Sequence, residues 1–218
     1  MAQIEFQSVS YRNEERNILQ DVSICIEQGD YISVMGPSGS GKSTLLRLCC
    51  HLISPTGGRI LWNGSDLMQQ DPIEIRRKIG YCFQTPVLFG ETVDDNISFA
   101  YSVRRQSIDR DRVNALFSGF HMAPDYLDRK IRGLSGGEKQ RIALIRTMLC
   151  RPDVLLLDEV TSALDTDNTH IVERAVEALH REGVTILWVT HDPEQGRKYA
   201  EKLLTVEAGQ IKSPEELK

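Results

Sequence analysis

The 218-residue sequence lacks any run of the roughly 20 apolar residues that a bilayer-spanning helix requires. Apolar runs such as Val154–Leu157 and Ile186–Val189 are stopped by polar residues. The start, Met1 to Val9, alternates apolar and polar residues. It has neither the basic opening nor the apolar block of a secretory signal. Any membrane role is therefore expected through a partner. A cationic excess is missing too: 26 Lys and Arg stand against 31 Asp and Glu, a formal net charge of -5. Wrapping nucleic acid needs the opposite balance, because Lys and Arg neutralise the phosphates, so no nucleic-acid partner is expected. Cysteine is sparse and odd in number. Cys25, Cys49, Cys50, Cys82 and Cys150 form no C-x-x-C pair, and most sit in apolar surroundings. They read as small core residues of a protein in a reducing cytosol; a metal or redox role for Cys49–Cys50 is the lesser alternative. No repeat, low-complexity tract or linker interrupts the chain.

What is present is ordered along the chain. Ile4, Phe6 and Ser8 alternate with Glu5, Gln7 and Val9 as in a strand; Val22–Glu27, Tyr31–Met35 and Arg59–Trp62 read as further strands, punctuated by Gly29-Asp30, Gly57-Gly58 and Asn63-Gly64. This opening third is expected to form an antiparallel lobe feeding a central strand. The stretch from Val87 to Leu149 is richer in helical spacing. Val154–Leu157 and Thr185–Val189 suit strands buried on both faces of a parallel sheet, with a helix over Thr169–Arg181 between them. The expected fold is an α/β core.

The strongest motif is Gly36-Pro37-Ser38-Gly39-Ser40-Gly41-Lys42-Ser43-Thr44, a full match to G-x-x-x-x-G-K-[ST] between a strand and a helical apolar pattern. Its glycines let backbone N–H groups approach phosphate closely, and the following helix points its positive end at the anion. Lys42 is expected to reach the β- and γ-phosphates of a nucleotide, and the Ser43 hydroxyl to ligate Mg²⁺. This motif alone does not separate kinases, GTPases and motor ATPases. Val154–Leu157 then ends in Asp158-Glu159. At a strand's carboxyl end Asp158 is placed to hold Mg²⁺, and Glu159 to orient and deprotonate water. Leu134-Ser135-Gly136-Gly137-Glu138 opens another helix with an S-x-x-E capping box. Two glycines at a helix start cost about 1 kcal/mol each relative to alanine. Their use is to clear side chains from amides that meet a phosphate, so the sequence carries a second anion site.

Ser135-Gly136-Gly137, the P-loop and Asp158-Glu159, in this arrangement, resemble the three motifs of the ABC ATPases over essentially the whole chain. The resemblance implies a P-loop NTPase fold with a RecA-like core, an antiparallel β subdomain and an inserted helical subdomain: residues 1–84 and 151–218 as nucleotide-binding core with β lobe, 85–150 as helical subdomain, in one domain over 1–218. It implies two copies facing head to tail, with ATP and Mg²⁺ between Gly36–Thr44 of one and Ser135–Gly137 of the other. Gln84 looks like the glutamine that senses Mg²⁺ and the attacking water. Asp165, in Ser162-Ala163-Leu164-Asp165, looks like part of the loop that crosses the dimer interface. His191 looks like the switch histidine at the γ-phosphate, and the helix-start pattern Asp192-Pro193-Glu194-Gln195 would hold it in a turn. Tyr11 looks like the aromatic that stacks on adenine, with packing on the first strand as the alternative. Val160 follows Glu159 where many relatives carry proline or alanine.

The run from Leu88 through Ile97 resembles the surface on which ABC exporter ATPases dock an integral membrane subunit, and an exposed Leu88–Phe89 pair would suit a hydrophobic groove. The runs Tyr81–Pro86 and Leu187–Asp192 look most similar to a bacterial group that supplies the ATPase half of an iron-export transporter. The expectation is thus a cytoplasmic transporter motor, peripheral on the inner membrane face. A soluble ABC ATPase acting on nucleic acid or in cofactor assembly is the alternative. A metabolite kinase leaves Ser135-Gly136-Gly137 without a purpose.

Overall fold

The computed structural model describes residues 2–212 and 214–217; the expected domain limits at 1 and 218 lie outside the described residues. Two sheets organise the chain. Strands β1 (Ala2–Asn13), β2 (Arg16–Glu27), β4 (Gly57–Trp62) and β5 (Ser65–Asp66) make an antiparallel sheet in the order β2-β1-β4-β5. The second sheet is built on five parallel strands, in the order β9 (Lys202–Glu207), β3 (Tyr31–Met35), β8 (Thr185–Val189), β7 (Val154–Asp158) and β6 (Ile79–Cys82). Short strands β10 (Gln210–Ile211) and β11 (Glu215–Glu216) pair antiparallel with β9.

The continuous apolar runs have the expected cause. Every residue of β7 and β8 is buried. Val154, Leu156, Leu187 and Val189 join a core with the antiparallel sheet and Leu45, Leu46 and Leu48 of helix α1 (Lys42–Cys49). Leu155, Leu157, Ile186 and Trp188 point the other way. There they meet α3 (Val93–Ser102), α4 (Arg110–Gly119), α5 (Gly136–Met148) and α6 (Thr166–Arg181). Alternation by two places successive side chains on opposite faces, so a strand covered on both sides is apolar throughout. α2 (Pro72–Lys78) and α7 (Pro193–Lys198) complete the helices; each starts on a capping aspartate, Asp71 and Asp192, with Pro in the first turn.

Three departures from the sequence reading have physical reasons. β2 starts at Arg16 rather than Val22, because its hairpin with β1 stays paired down to Asn13 opposite Arg16. Leu88 and Phe89 part company: Leu88 packs on the core while Phe89 is 40% exposed. Cys49, Cys50 and Cys82 are core thiols, but Cys25 is exposed, since it lies on the outward side of β2. Burial pushes the Cys82 thiol up to about 11 and Cys50 to about 12. Val160 is buried in the core and turns no functional group toward the strand ends.

Candidate active site

β3, β8, β7 and β6 lie side by side and parallel, so their carboxyl ends share one rim. β3 runs into the glycine loop. At Gly36 (φ +142°) a Cβ would sit 2.0 Å from the Val206 carbonyl oxygen, and at Gly41 (φ +112°) 2.8 Å from Leu19 Cδ2. No side chain fits at either place, so the loop presses directly on β9 and β2. α1 begins at once, and its first turn, Lys42, Ser43 and Thr44, lines a cavity of about 410 Å³ with Ser38, Gly39 and Gly41. Gln84, Glu159 and His191 line the same cavity from the ends of the other strands. The amino end of a helix therefore opens onto it, the arrangement that favours an anion.

The polar contacts are specific. Lys42 Nζ donates to the carbonyl oxygens of Gly36 and Pro37, both at 2.9 Å. Burial holds its ammonium below the ordinary lysine range, against the opposing pull of Glu159 and Asp158. Ser43 Oγ donates to Asp158 Oδ1 at 2.8 Å, and the Tyr81 hydroxyl donates to Asp158 Oδ2 at 2.6 Å. Burial, then the Asp158 carboxylate, pushes the Tyr81 phenol well up, so it stays a donor. Glu159 follows the last residue of β7 with φ +51°, a left-handed conformation that costs a non-glycine residue on the order of 1–3 kcal/mol. Its N–H donates to the Val189 carbonyl at 3.1 Å, which ties the turn to β8. Its side chain is engaged at both oxygens: Gln84 Nε2 donates to Oε2 at 2.9 Å, and His191 Nε2 lies 2.6 Å from Oε1.

Behind this pair lies a polar network centred on the buried side chains of Thr190, Gln195 and Glu173. Gln195 Oε1 accepts from Thr190 Oγ1 (2.7 Å) and Thr161 Oγ1 (3.1 Å), and Gln195 Nε2 donates to Glu173 Oε1 (3.1 Å). Glu173 Oε2 pairs with Lys198 Nζ at 2.8 Å and with His170 Nδ1 at 3.1 Å. Burial would raise the Glu173 pKa; the donors from Lys198, Gln195 and His170 outweigh it and hold the carboxyl below the ordinary range.

Three expected participants stand apart from the cavity. Ser135 caps α5 through a reciprocal box with Glu138, as the sequence reading requires. A Cβ on Gly136 would meet nothing within 4 Å, and one on Gly137 only Leu164 Cδ2 at 3.4 Å and Asn168 Nδ2 at 3.9 Å. Asp165 caps α6, accepting from the Asn168 backbone N–H (2.8 Å) and side-chain Nδ2 (2.6 Å). The helix start at Ser135–Gly137 and the Asp165 loop thus adjoin each other. Tyr11 lies opposite Leu19 on β1 and packs, partly buried, on the core of the antiparallel sheet. Arg16 and Ile18 line the cavity; the sequence reading missed them because it began β2 at Val22.

The donor set suits a hard divalent ion. Ser43 lines the cavity and its hydroxyl is bonded to the Asp158 carboxylate buried directly behind it, so hydroxyl and carboxylate oxygens, the ligand chemistry of Mg²⁺, lie together at one point beside the cavity. No group of three His, Cys, Asp or Glu side chains able to hold a metal gathers among the described residues. An ion here would fill its remaining positions with phosphate oxygens and water, as Mg²⁺ does at nucleotide sites.

Comparison with known proteins agrees with the geometry. The ABC transporter family model matches residues 19–162, a span that includes the glycine loop, Ser135–Gly137 and Asp158-Glu159. The "Probable iron export ATP-binding protein FetA" of Escherichia coli K12 is 40% identical over 205 residues, covering 94% of this chain and 91% of that protein. The glycine betaine/carnitine/choline transport ATP-binding protein OpuCA of Bacillus subtilis 168 is 35% identical, with 97% of this chain matched to 56% of its length. Among solved structures, a dimeric ATP-binding cassette in a post-hydrolysis state with ADP and Pi superposes with a TM-score of 0.87 at 27% identity, over 99% of both chains. A bacterial Atm1-family ABC exporter with ATP bound gives 0.88 at 29% identity, over 99% of this chain and 39% of that one.

Proposed function

The chain belongs to the ABC transporter family as an ATP-binding and ATP-hydrolysing subunit, and from that premise we propose that its working site is composite, shared by two copies. The observation that carries the proposal is the separation inside one chain. Lys42, Ser43, Gln84, Glu159 and His191 line one cavity, while Ser135, Gly136 and Gly137 lie outside it with open space over Gly136. A glycine-rich helix start with clear space above it suits the phosphate of a nucleotide held by another copy.

In this reading Gly36–Thr44 cradles ATP, with Lys42 on its phosphates. Ser43 and Asp158, with Gln84 nearby, hold Mg²⁺, which when bound neutralises phosphate charge. Glu159 takes a proton from the attacking water, braced by Gln84 and His191. Asp165 belongs to the interface between copies, next to the partner's phosphates. Tyr11, although it does not line the cavity, is assigned to stacking on adenine. Residues 1–84 and 151–218 form the nucleotide-binding body, and 85–150 the inserted helical part.

We further propose that a separate membrane subunit is driven from the surface around Phe89. No described helix is long and apolar enough to cross a membrane. Phe83, Phe89, Phe99 and Val103 are exposed around one apolar groove with Leu52. A short amphipathic helix of the membrane subunit fits such a groove, which would hold this chain peripherally on the cytoplasmic face. The cargo carried over from the E. coli relative's name is iron, moving outward.

The test is a Glu159→Gln variant with ATP on a sizing column. It should bind ATP and elute as a dimer, and Ser135→Arg added to it should return the monomer without loss of ATP. An ATP-loaded Glu159→Gln protein that stays monomeric at high concentration, alone and with its membrane subunit, would remove the composite site.

A further inference from the structure

Asp158 is buried, and both of its oxygens are occupied. Ser43 Oγ, from the first turn of α1, donates to Oδ1; the Tyr81 hydroxyl, from β6, donates to Oδ2 at 2.6 Å. The two donors differ in what else they do. Ser43 sits in the cavity wall and has lone pairs to offer an ion. Tyr81 does not line that cavity. Its ring is packed tilted on Phe83, with centroids 4.6 Å apart, and lies along the apolar groove on the other side of β6. It reaches Asp158 because β6 pairs parallel with β7, Tyr81 opposite Leu156 and Cys82 opposite Leu157.

We propose that Tyr81 is a positioning residue for the Mg²⁺ site: its hydroxyl fixes the orientation in which the Asp158 carboxylate is presented to Ser43 and to the ion that these two residues would hold. A carboxylate held by donors at opposite oxygens cannot rotate about its Cβ–Cγ bond without breaking both. Charge-assisted bonds of this length are the strong class. Removing one would leave Oδ2 buried without a partner, and the carboxylate would turn to find another. The proposal rests on the reading that Asp158 serves the divalent ion, and the experiment separates the two.

Tyr81→Phe removes only the hydroxyl and keeps the ring contacts. Two readouts apply: the Mg²⁺ concentration for half-maximal ATP hydrolysis at fixed ATP, and the EPR spectrum of Mn²⁺ bound with a non-hydrolysable ATP analogue. The variant should need roughly tenfold more Mg²⁺ and give an altered Mn²⁺ spectrum. Its ATP affinity in EDTA should stay at the wild-type value. A role confined to stability would leave the metal response and the spectrum alone. Wild-type Mg²⁺ dependence together with a wild-type spectrum overturns the proposal. Asp158→Asn is the control: if it shifts both readouts and Tyr81→Phe shifts neither, only the Tyr81 proposal fails. If Asp158→Asn itself leaves them unchanged, the metal reading of Asp158 fails and takes this proposal with it. Should the Phe variant not fold, Tyr81→Met carries the same test: it also offers no donor to Asp158 Oδ2, and its Mg²⁺ requirement should likewise lie above wild type.

Discussion

His191 Nε2 lies 2.6 Å from Oε1 of Glu159, across 32 residues of sequence, and the Glu159 backbone N–H is bonded to the carbonyl of Val189 in the strand that leads to His191. Side chain and backbone are thus locked to the same strand end. Glu159 also adopts φ +51°, so the turn that aims its carboxylate is held against its own conformational preference.

That pairing predicts an asymmetric loss. His191→Ala frees Oε1 of Glu159 and leaves the P-loop contacts untouched. Hydrolysis should fall roughly 100-fold, the scale of losing one preorganised polar group at a reaction centre. ATP affinity, measured by fluorescent-nucleotide titration, should stay within about twofold because no uniform-binding contact is lost. Equal losses in both would move His191 from the chemical step to binding.

Lys42→Ala should act the other way. The ammonium is folded over the loop on the Gly36 and Pro37 carbonyls, ready to turn toward phosphate. Its removal should weaken ATP binding by about tenfold or more, the value of a charge-assisted contact. Calorimetric titration with ATP and with adenosine distinguishes this: adenosine affinity should not change.

Gly136→Ala gives opposite signs for stability and activity. A Cβ there meets nothing within this chain, and the residue is the first of α5. Alanine should leave the isolated chain as stable or up to about 1 kcal/mol more stable. ATP-dependent dimerisation and hydrolysis should both drop, because the methyl group enters the space assigned to another copy's phosphate. A variant with raised melting temperature and full turnover would count against that assignment.

The Glu173 network sets a pH test. The folded-state carboxyl is held below its ordinary value of 4.5, so its contribution to stability is present above 4.5 and is lost as pH falls through the lower folded value. Glu173→Gln should therefore be less stable than wild type at neutral pH, and the gap should narrow in urea titrations carried into the acid range below 4.5. A gap that is constant with pH would assign the loss to packing instead of charge.

The residues legible in one dimension were those whose role is local. Gly36–Thr44 announces a loop because its glycines are needed within a few bonds of each other. Ser135 and Glu138 announce a helix start because they satisfy each other's backbone amides. Val154–Leu157 announces a doubly covered strand because alternation fails when both faces are buried. Tyr11 and Leu88 were harder: a half-apolar strand position and an apolar loop pair do not say which way a side chain turns.

The sequence by itself determined the nucleotide-loop chemistry, the second glycine-rich helix start and the acidic strand end, since each is a property of neighbouring residues. Only the tertiary structure decided that Tyr81 and Ser43 meet on Asp158 from 77 and 115 residues away, and that Gln195 ties Thr161 to Thr190 behind Glu159 and His191. The physical reason is strand order. The order β3-β8-β7-β6 is fixed by burial summed over two faces of the sheet. No short window of sequence contains that sum.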